Sequence, residues 1–211
     1  MTRITHVLYL HGFRSSPGSS KARFLQHWFA NEYPHIQWEC PQLPASALAS
    51  ARIVSQLLQT WSSAHSLVIG SSLGGFYASW AAAKFSCAVC LLNPAVHPAR
   101  DLASFIGIHP SWHDPDILVE IKPEHLEELK ALYVSRALNF LPANEVTAGH
   151  IKHDASPLLA MIATGDEVLD WQEMSARYPA NQQYIIPGSD HGITDFADHV
   201  HVLKSFINDM N

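Results

Sequence analysis

Short apolar runs alternate with longer stretches in which apolar residues recur every three to four positions, and this rhythm covers most of the 211-residue chain. Val7-Leu8-Tyr9-Leu10 is a four-residue apolar run that predicts a buried strand. Residues 19–33 then predict a helix, with Phe24, Leu25, Trp28 and Phe29 on one stripe and Pro34 stopping it. A second strand is expected over 36–40 and a second helix over 46–61, where Leu48, Ala51, Val54, Leu57, Leu58 and Trp61 fall at helical spacing. Residues 66–70 form a third strand running into an alanine-rich helix over 73–85. Further strands are expected at 87–92, 158–164 and 183–186, and a last helix at about 195–209. Between about 97 and 156 the rhythm breaks. Pro110, Pro115, Pro123 and Pro142 surround a single expected helix over 123–138.

Strands separated by helices imply an α/β architecture: a small, mostly parallel sheet with helices on both faces. We expect one domain over 1–211, with the 97–156 stretch inserted as a helical cap over the strand ends. In open sheets of this kind ligands bind beyond the carboxyl ends of the strands. His11, Ser72, Asn93 and Asp166 each follow an expected strand end.

Composition narrows the chemistry. A hydrophobic content of 47% suits one sizeable core, and a formal net charge of −6 provides no basic footprint for nucleic acid or an anionic membrane surface. The four-residue apolar run near the N-terminus is too short for a signal-peptide core or a membrane span, so a cytoplasmic location is expected. Three cysteines, Cys40, Cys87 and Cys90, form no disulfide framework. Cys87 and Cys90 do spell Cys-x-x-Cys, but within an expected strand, where residues three apart face opposite ways; they read as core thiols. His97, His109, His113, His150 and His153 gather in one region without a zinc-binding spacing.

The stretch with the most chemical content is Leu67-Val68-Ile69-Gly70-Ser71-Ser72-Leu73-Gly74-Gly75, an apolar strand entering Gly-x-Ser-x-Gly and then a helix. A serine on so sharp a turn needs neighbours without side chains two positions either side, and Gly70 and Gly74 supply them. Ser72 is therefore the candidate nucleophile. An acid and then a histidine should follow in that order, each beyond a late strand. Asp166, after Met161-Ile162-Ala163-Thr164-Gly165, is the candidate acid, with Glu167 and Asp170 as local rivals. His191, in the turn-rich run Pro187-Gly188-Ser189-Asp190-His191-Gly192, is the candidate base. The backbone N–H groups of Leu73 and Phe13 are candidate oxyanion donors, with Arg14 as the alternative to Phe13. Arg14 and Phe76 are candidate substrate-binding residues, and Phe13, Trp112 and Trp171 are further candidate pocket walls.

Several motifs go beyond this generic pattern. His11-Gly12-Phe13-Arg14-Ser15-Ser16-Pro17-Gly18-Ser19-Ser20-Lys21, Pro41-Gln42-Leu43-Pro44, Gly70-Ser71-Ser72-Leu73-Gly74-Gly75, Asn93-Pro94-Ala95-Val96 and Thr164-Gly165-Asp166-Glu167-Val168-Leu169-Asp170 together resemble the YqiA-type esterases, small members of the α/β-hydrolase superfamily. The resemblance implies an α/β-hydrolase fold, hydrolysis of a small-molecule carboxylic ester or acyl thioester, no metal or organic cofactor, and a triad of Ser72, Asp166 and His191. Arg14 stands where the family often has a small polar residue such as Asn, and no family motif falls between about 108 and 156. Two alternatives stand beside an esterase: a non-catalytic member that binds an acyl ligand or a protein, and an amidase or peptidase with the same triad.

Overall fold

The computed structural model describes residues 4–134, 139–141 and 155–210. The chain begins with β1 (His6–Leu10), α1 (Ser20–Glu32), β2 (Gln37–Glu39), α2 (Ala47–Thr60), β3 (Ser66–Ser71), α3 (Leu73–Phe85) and β4 (Ala88–Leu92). There follow a short α4 (Pro98–Asp101), a hairpin of β5 (Gly107–Pro110) and β6 (Leu118–Ile121), α5 (Pro123–Leu132) and β7 (Asn139–Leu141). The last third holds β8 (Ala155–Ala163), α6 (Trp171–Arg177), β9 (Gln183–Ile186) and α7 (Phe196–Asp209).

The main sheet runs in the order β2-β1-β3-β4-β8, with β7 and β9 both pairing with β8, and every pairing in it is parallel. The chain first moves outward from β1 to β2, then returns past β1 to β3 and continues the other way. The reversal point lies between β1 and β3. Ligand crevices form at such points because the two flanking loops leave in opposite directions.

Alternating strand residues feed two cores. Val7, Tyr9, Leu67, Ile69 and Cys90 pack with Leu25 and Phe29 of α1 and with Leu203, Phe206 and Ile207 of α7. Leu8, Leu10, Val68, Val89 and Leu91 pack on the other face with Val54 and Leu58 of α2 and Ala78 and Ala81 of α3. Cys87 belongs to this second core and Cys90 to the first, so the two thiols are free and lie on opposite faces of the sheet. Burial pushes the Cys87 thiol up to about 12.

The periodicity located every helix and strand expected outside 97–156 to within a few residues. Inside that stretch it missed β5, β6, α4 and β7, and it overran α5. The hairpin escaped because its apolar residues face outward, as with Ile108 and Leu118, each 64% exposed, and because Pro110 and Pro115 interrupt it. Expected to reach residue 138, α5 ends at Leu132, where Tyr133 turns into extended backbone and its ring stacks on His97. Residues 135–138 lie outside the described residues. At the end of that stretch β8 starts at Ala155 rather than 158, because Asn139–Leu141 pairs with its first three residues.

Candidate active site

Ser72 sits at the turn between β3 and α3 with φ 55° and ψ −121°, a strained conformation for a residue with a side chain. Backbone bonds on both sides hold it there. Its N–H donates to Leu92 O at 3.0 Å, and its carbonyl accepts from Gly75 N at 2.8 Å and Ala95 N at 3.0 Å. The turn is so tight that a Cβ on Gly70 would stand 2.3 Å from Gly74 O, and one on Gly74 would stand 1.9 Å from Leu10 O. Both obstacles are backbone and cannot swing away. The glycine spacing in the sequence thus reflects contact of the helix start with the ends of β1 and β3.

Across the sheet, Asp166 Oδ2 lies 2.8 Å from His191 Nδ1. The Asp166 side chain is fully enclosed, while that of His191 keeps 20% exposure. The other carboxylate oxygen, Oδ1, accepts from Val168 N and Leu169 N, both at 2.8 Å, so the carboxylate is fixed at both ends. Its two sequence rivals hold other posts. Glu167 Oε2 accepts the backbone N–H of His191 at 3.0 Å, and Asp170 caps α6 by accepting from Gln172 N. Gly165 allows the acid loop to meet the histidine loop: its N–H donates to Ser189 O at 3.0 Å, and a Cβ there would be 2.8 Å from Gly188 O and Ser189 O.

Asn93 ties these loops to the sheet. Fully buried and with φ 43°, it donates from Nδ2 to Asp190 O at 3.1 Å and His191 O at 3.0 Å, and it accepts the Ala163 N–H on Oδ1 at 2.8 Å. One side chain thereby sets the distance between the end of β8 and the backbone of His191. Its place after β4 was legible in the sequence, but its partners, about 70 and 100 residues away, were not.

The loop after β1 lies against the β3–α3 turn. A Cβ on Gly12 would stand 3.2 Å from Ser72 Cβ, which brings the Gly12–Phe13 peptide alongside the serine. Among the described residues neither Phe13 N–H nor Leu73 N–H meets an acceptor. Leu73 opens α3, where first-turn N–H groups have no partner within the helix. His11 anchors the loop from below. Its Nε2 accepts Leu43 N–H at 3.0 Å, so Nδ1 carries the proton donated to Gly12 O at 2.9 Å, and burial lowers its basicity.

Arg14 follows with φ 56° and joins this loop to the β5–β6 hairpin. Its Nε donates to Pro110 O at 2.6 Å, its carbonyl accepts from Trp112 N at 2.9 Å and Ser111 Oγ at 3.1 Å, and its guanidinium lies 4.0 Å from the Trp112 ring centroid.

Two cavities flank the loop. One of about 600 Å3 is lined by Ser72, His191, Lys21, Phe24, Trp112 and Phe196, among others. A second of about 40 Å3 has a mixed lining that includes Phe13, Leu73 and Leu126 beside Arg14, Gln42 and His125. Phe76 lines neither: it is 5% exposed and packs in the core with its ring 5.5 Å from Tyr77. Trp171 opens α6 and rests on the same core. No cluster of three or more His, Cys, Asp or Glu suited to a metal ion occurs among the described residues, and no described helix is long and apolar enough to cross a membrane.

Solved structures place this architecture in the α/β-hydrolase fold. Alpha/beta hydrolase domain-containing protein 10 from mouse matches with a TM-score of 0.68 and 15% identity, over 100% of this chain and 90% of its own. Est1E from Butyrivibrio proteoclasticus, solved with ferulic acid bound, matches at 0.66 and 13%, over 98% and 89%. The ydeN gene product from B. subtilis matches at 0.61 and 12%, over 97% and 99%. Residues 6–208 match the model of the family described as Uncharacterised protein family (UPF0227). The chain belongs to that family, the YqiA family.

Proposed function

We propose that this protein is a serine hydrolase that cleaves a small-molecule carboxylic ester or acyl thioester through an acyl-enzyme on Ser72. The observation that carries the proposal is His191, held by Asp166 at 2.8 Å, in the wall of the same cavity as a serine on a strained strand-to-helix turn. In the proposed reaction His191 Nε2 takes the Ser72 hydroxyl proton as Oγ bonds to the carbonyl carbon, and then delivers it to the departing oxygen or sulfur. Asp166 holds Nδ1–H and stabilises the imidazolium. The Phe13 and Leu73 N–H groups receive the developing oxyanion, which in comparable sites is worth about 10²–10³ in rate per donor. Water then attacks the acyl-enzyme with His191 as base. Every step uses side chains and backbone of this chain. The reading extends to one cytoplasmic domain in which the β5–β6 hairpin, within the 97–156 stretch, covers the loop that follows β1.

The deciding experiment is labelling with a fluorophosphonate followed by peptide mapping, together with turnover of p-nitrophenyl acetate and butyrate. Modification should map to Ser72, and Ser72→Ala should lose both labelling and at least about 10⁴-fold in kcat. Turnover retained by Ser72→Ala would rule the mechanism out. A protein that is never labelled would be a ligand-binding member of the fold, and anilide cleavage at ester-like rates would move the assignment to an amidase.

A further inference from the structure

The large cavity has a polar end that ester hydrolysis by itself does not use. There α1 begins, with Ser19, Ser20 and Lys21 in the cavity wall. Ser19 caps the helix by accepting Ala22 N–H at 3.3 Å, while the N–H groups of Ser20 and Lys21 have no acceptor within the helix. Lys21 is largely enclosed, and its ammonium donates to Ser71 Oγ at 3.2 Å, one residue before the nucleophile. It has no carboxylate within ion-pair distance among the described residues. The two aspartates whose charge acts on it are committed elsewhere: Asp166 to His191 and the N–H groups of Val168 and Leu169, Asp190 to the N–H and hydroxyl of Thr194. A secluded cation without a contacting anion is costly to keep. Burial drives Lys21 down to about 8 even though both aspartates pull it upward.

The chemistry determines which half of a substrate meets this cation. Because His191 must hand its proton to the leaving group, the leaving group lies on the His191 side of Ser72. That side belongs to the 600 Å3 cavity, which Ser72, His191 and Lys21 all line, whereas the space of about 40 Å3 on the other side of the loop is lined by neither Ser72 nor His191. We propose that Lys21 and the first turn of α1 bind an anionic group, a carboxylate or a phosphate, carried by the leaving-group half of the substrate. The inference rests on the Ser72–His191–Asp166 reading and narrows the substrate class to esters or thioesters of negatively charged alcohols, phenols or thiols.

Matched probes test it: 4-acetoxybenzoate and 4-acetoxyphenyl phosphate against neutral 4-acetoxybenzamide, each rate normalised to spontaneous hydrolysis. At least one anionic ester should exceed the amide about tenfold in kcat/KM, chiefly through KM, as one charge-assisted contact predicts. Which anionic probe wins separates carboxylate from phosphate. Lys21→Met and Lys21→Gln should bring the ratio close to one, and Lys21→Arg should keep most of it. Equal loss on all three probes would mean that Lys21 acts through the triad, and would overturn the proposal. So would a wild-type protein with no preference for charge. Calorimetric titration of Ser72→Ala with the intact esters reads the same preference without turnover. Selective binding with an inactive wild-type protein would uphold the anion site and sink the hydrolase reading; turnover without charge selection would do the reverse.

Discussion

Three polar residues that the sequence places near strand ends have distinct jobs in the structure, and substitution separates them. Asp166 bridges two loop N–H groups and His191 Nδ1, so Asp166→Asn should preserve the loop but favour the wrong imidazole tautomer, lowering kcat by about 10⁴ in ester turnover. Asp170 caps α6, so Asp170→Asn, another good cap, should change activity and urea stability little. Asn93 is neither acid nor base. It is a positioning residue, and Asn93→Ala should cost about 1–3 kcal/mol in urea denaturation, because the Ala163 N–H and two loop carbonyls lose their partner in a buried site. Asn93→Asp should be worse, since it sets carboxylate oxygen against the carbonyls of Asp190 and His191.

Among the elements, the β5–β6 hairpin is the piece most closely coupled to the site that the periodicity did not reveal. It holds the loop after β1 through Arg14, by hydrogen bonds to Pro110, Ser111 and Trp112 and by stacking on the Trp112 ring. The ring itself is 66% exposed, so global stability depends little on it. Trp112→Ala removes a contact worth about 0.5–1 kcal/mol at such a site. Amide exchange over residues 12–16 should rise and kcat/KM should fall about threefold to tenfold, with the melting temperature nearly unchanged. The α3–β1 contact behaves differently. In Gly74→Ala the new methyl meets Leu10 carbonyl oxygen with no side chain able to move, so loss of more than about 3 kcal/mol in urea stability is expected.

At the scale of the whole molecule, a secluded cation beside a predominantly apolar core makes stability depend on pH. Lys21 titrates at about 8 in the folded protein, against an ordinary value of 10.5. Below pH 8 both folded and unfolded chains carry its proton, and the fold bears the full cost of burying the charge. Between about 8 and 10.5 the unfolded chain binds more protons than the folded one, so this group raises stability as pH increases. Lys21→Met should therefore stabilise the protein at pH 7, by at most about 3 kcal/mol, with the gain shrinking towards pH 10 in paired urea titrations. A site residue that weakens the fold is the pattern expected where function and stability compete.

Local chemistry was enough to locate the strand-helix alternation, the parallel sheet and the three candidate triad residues. Strand burial, helical spacing and the Gly-x-Ser-x-Gly turn are each written within a few neighbouring positions, and chain order then limits where an acid and a histidine can follow. What needed the tertiary structure was every relation between distant segments. The 2.8 Å Asp166–His191 bond, the three-way grip of Asn93, the hairpin on Arg14 and the Lys21–Ser71 contact all join residues between 25 and 98 positions apart. Such contacts leave no periodic trace, because they arise from side chains and loops brought together only once the sheet has set the spacing of its strand ends.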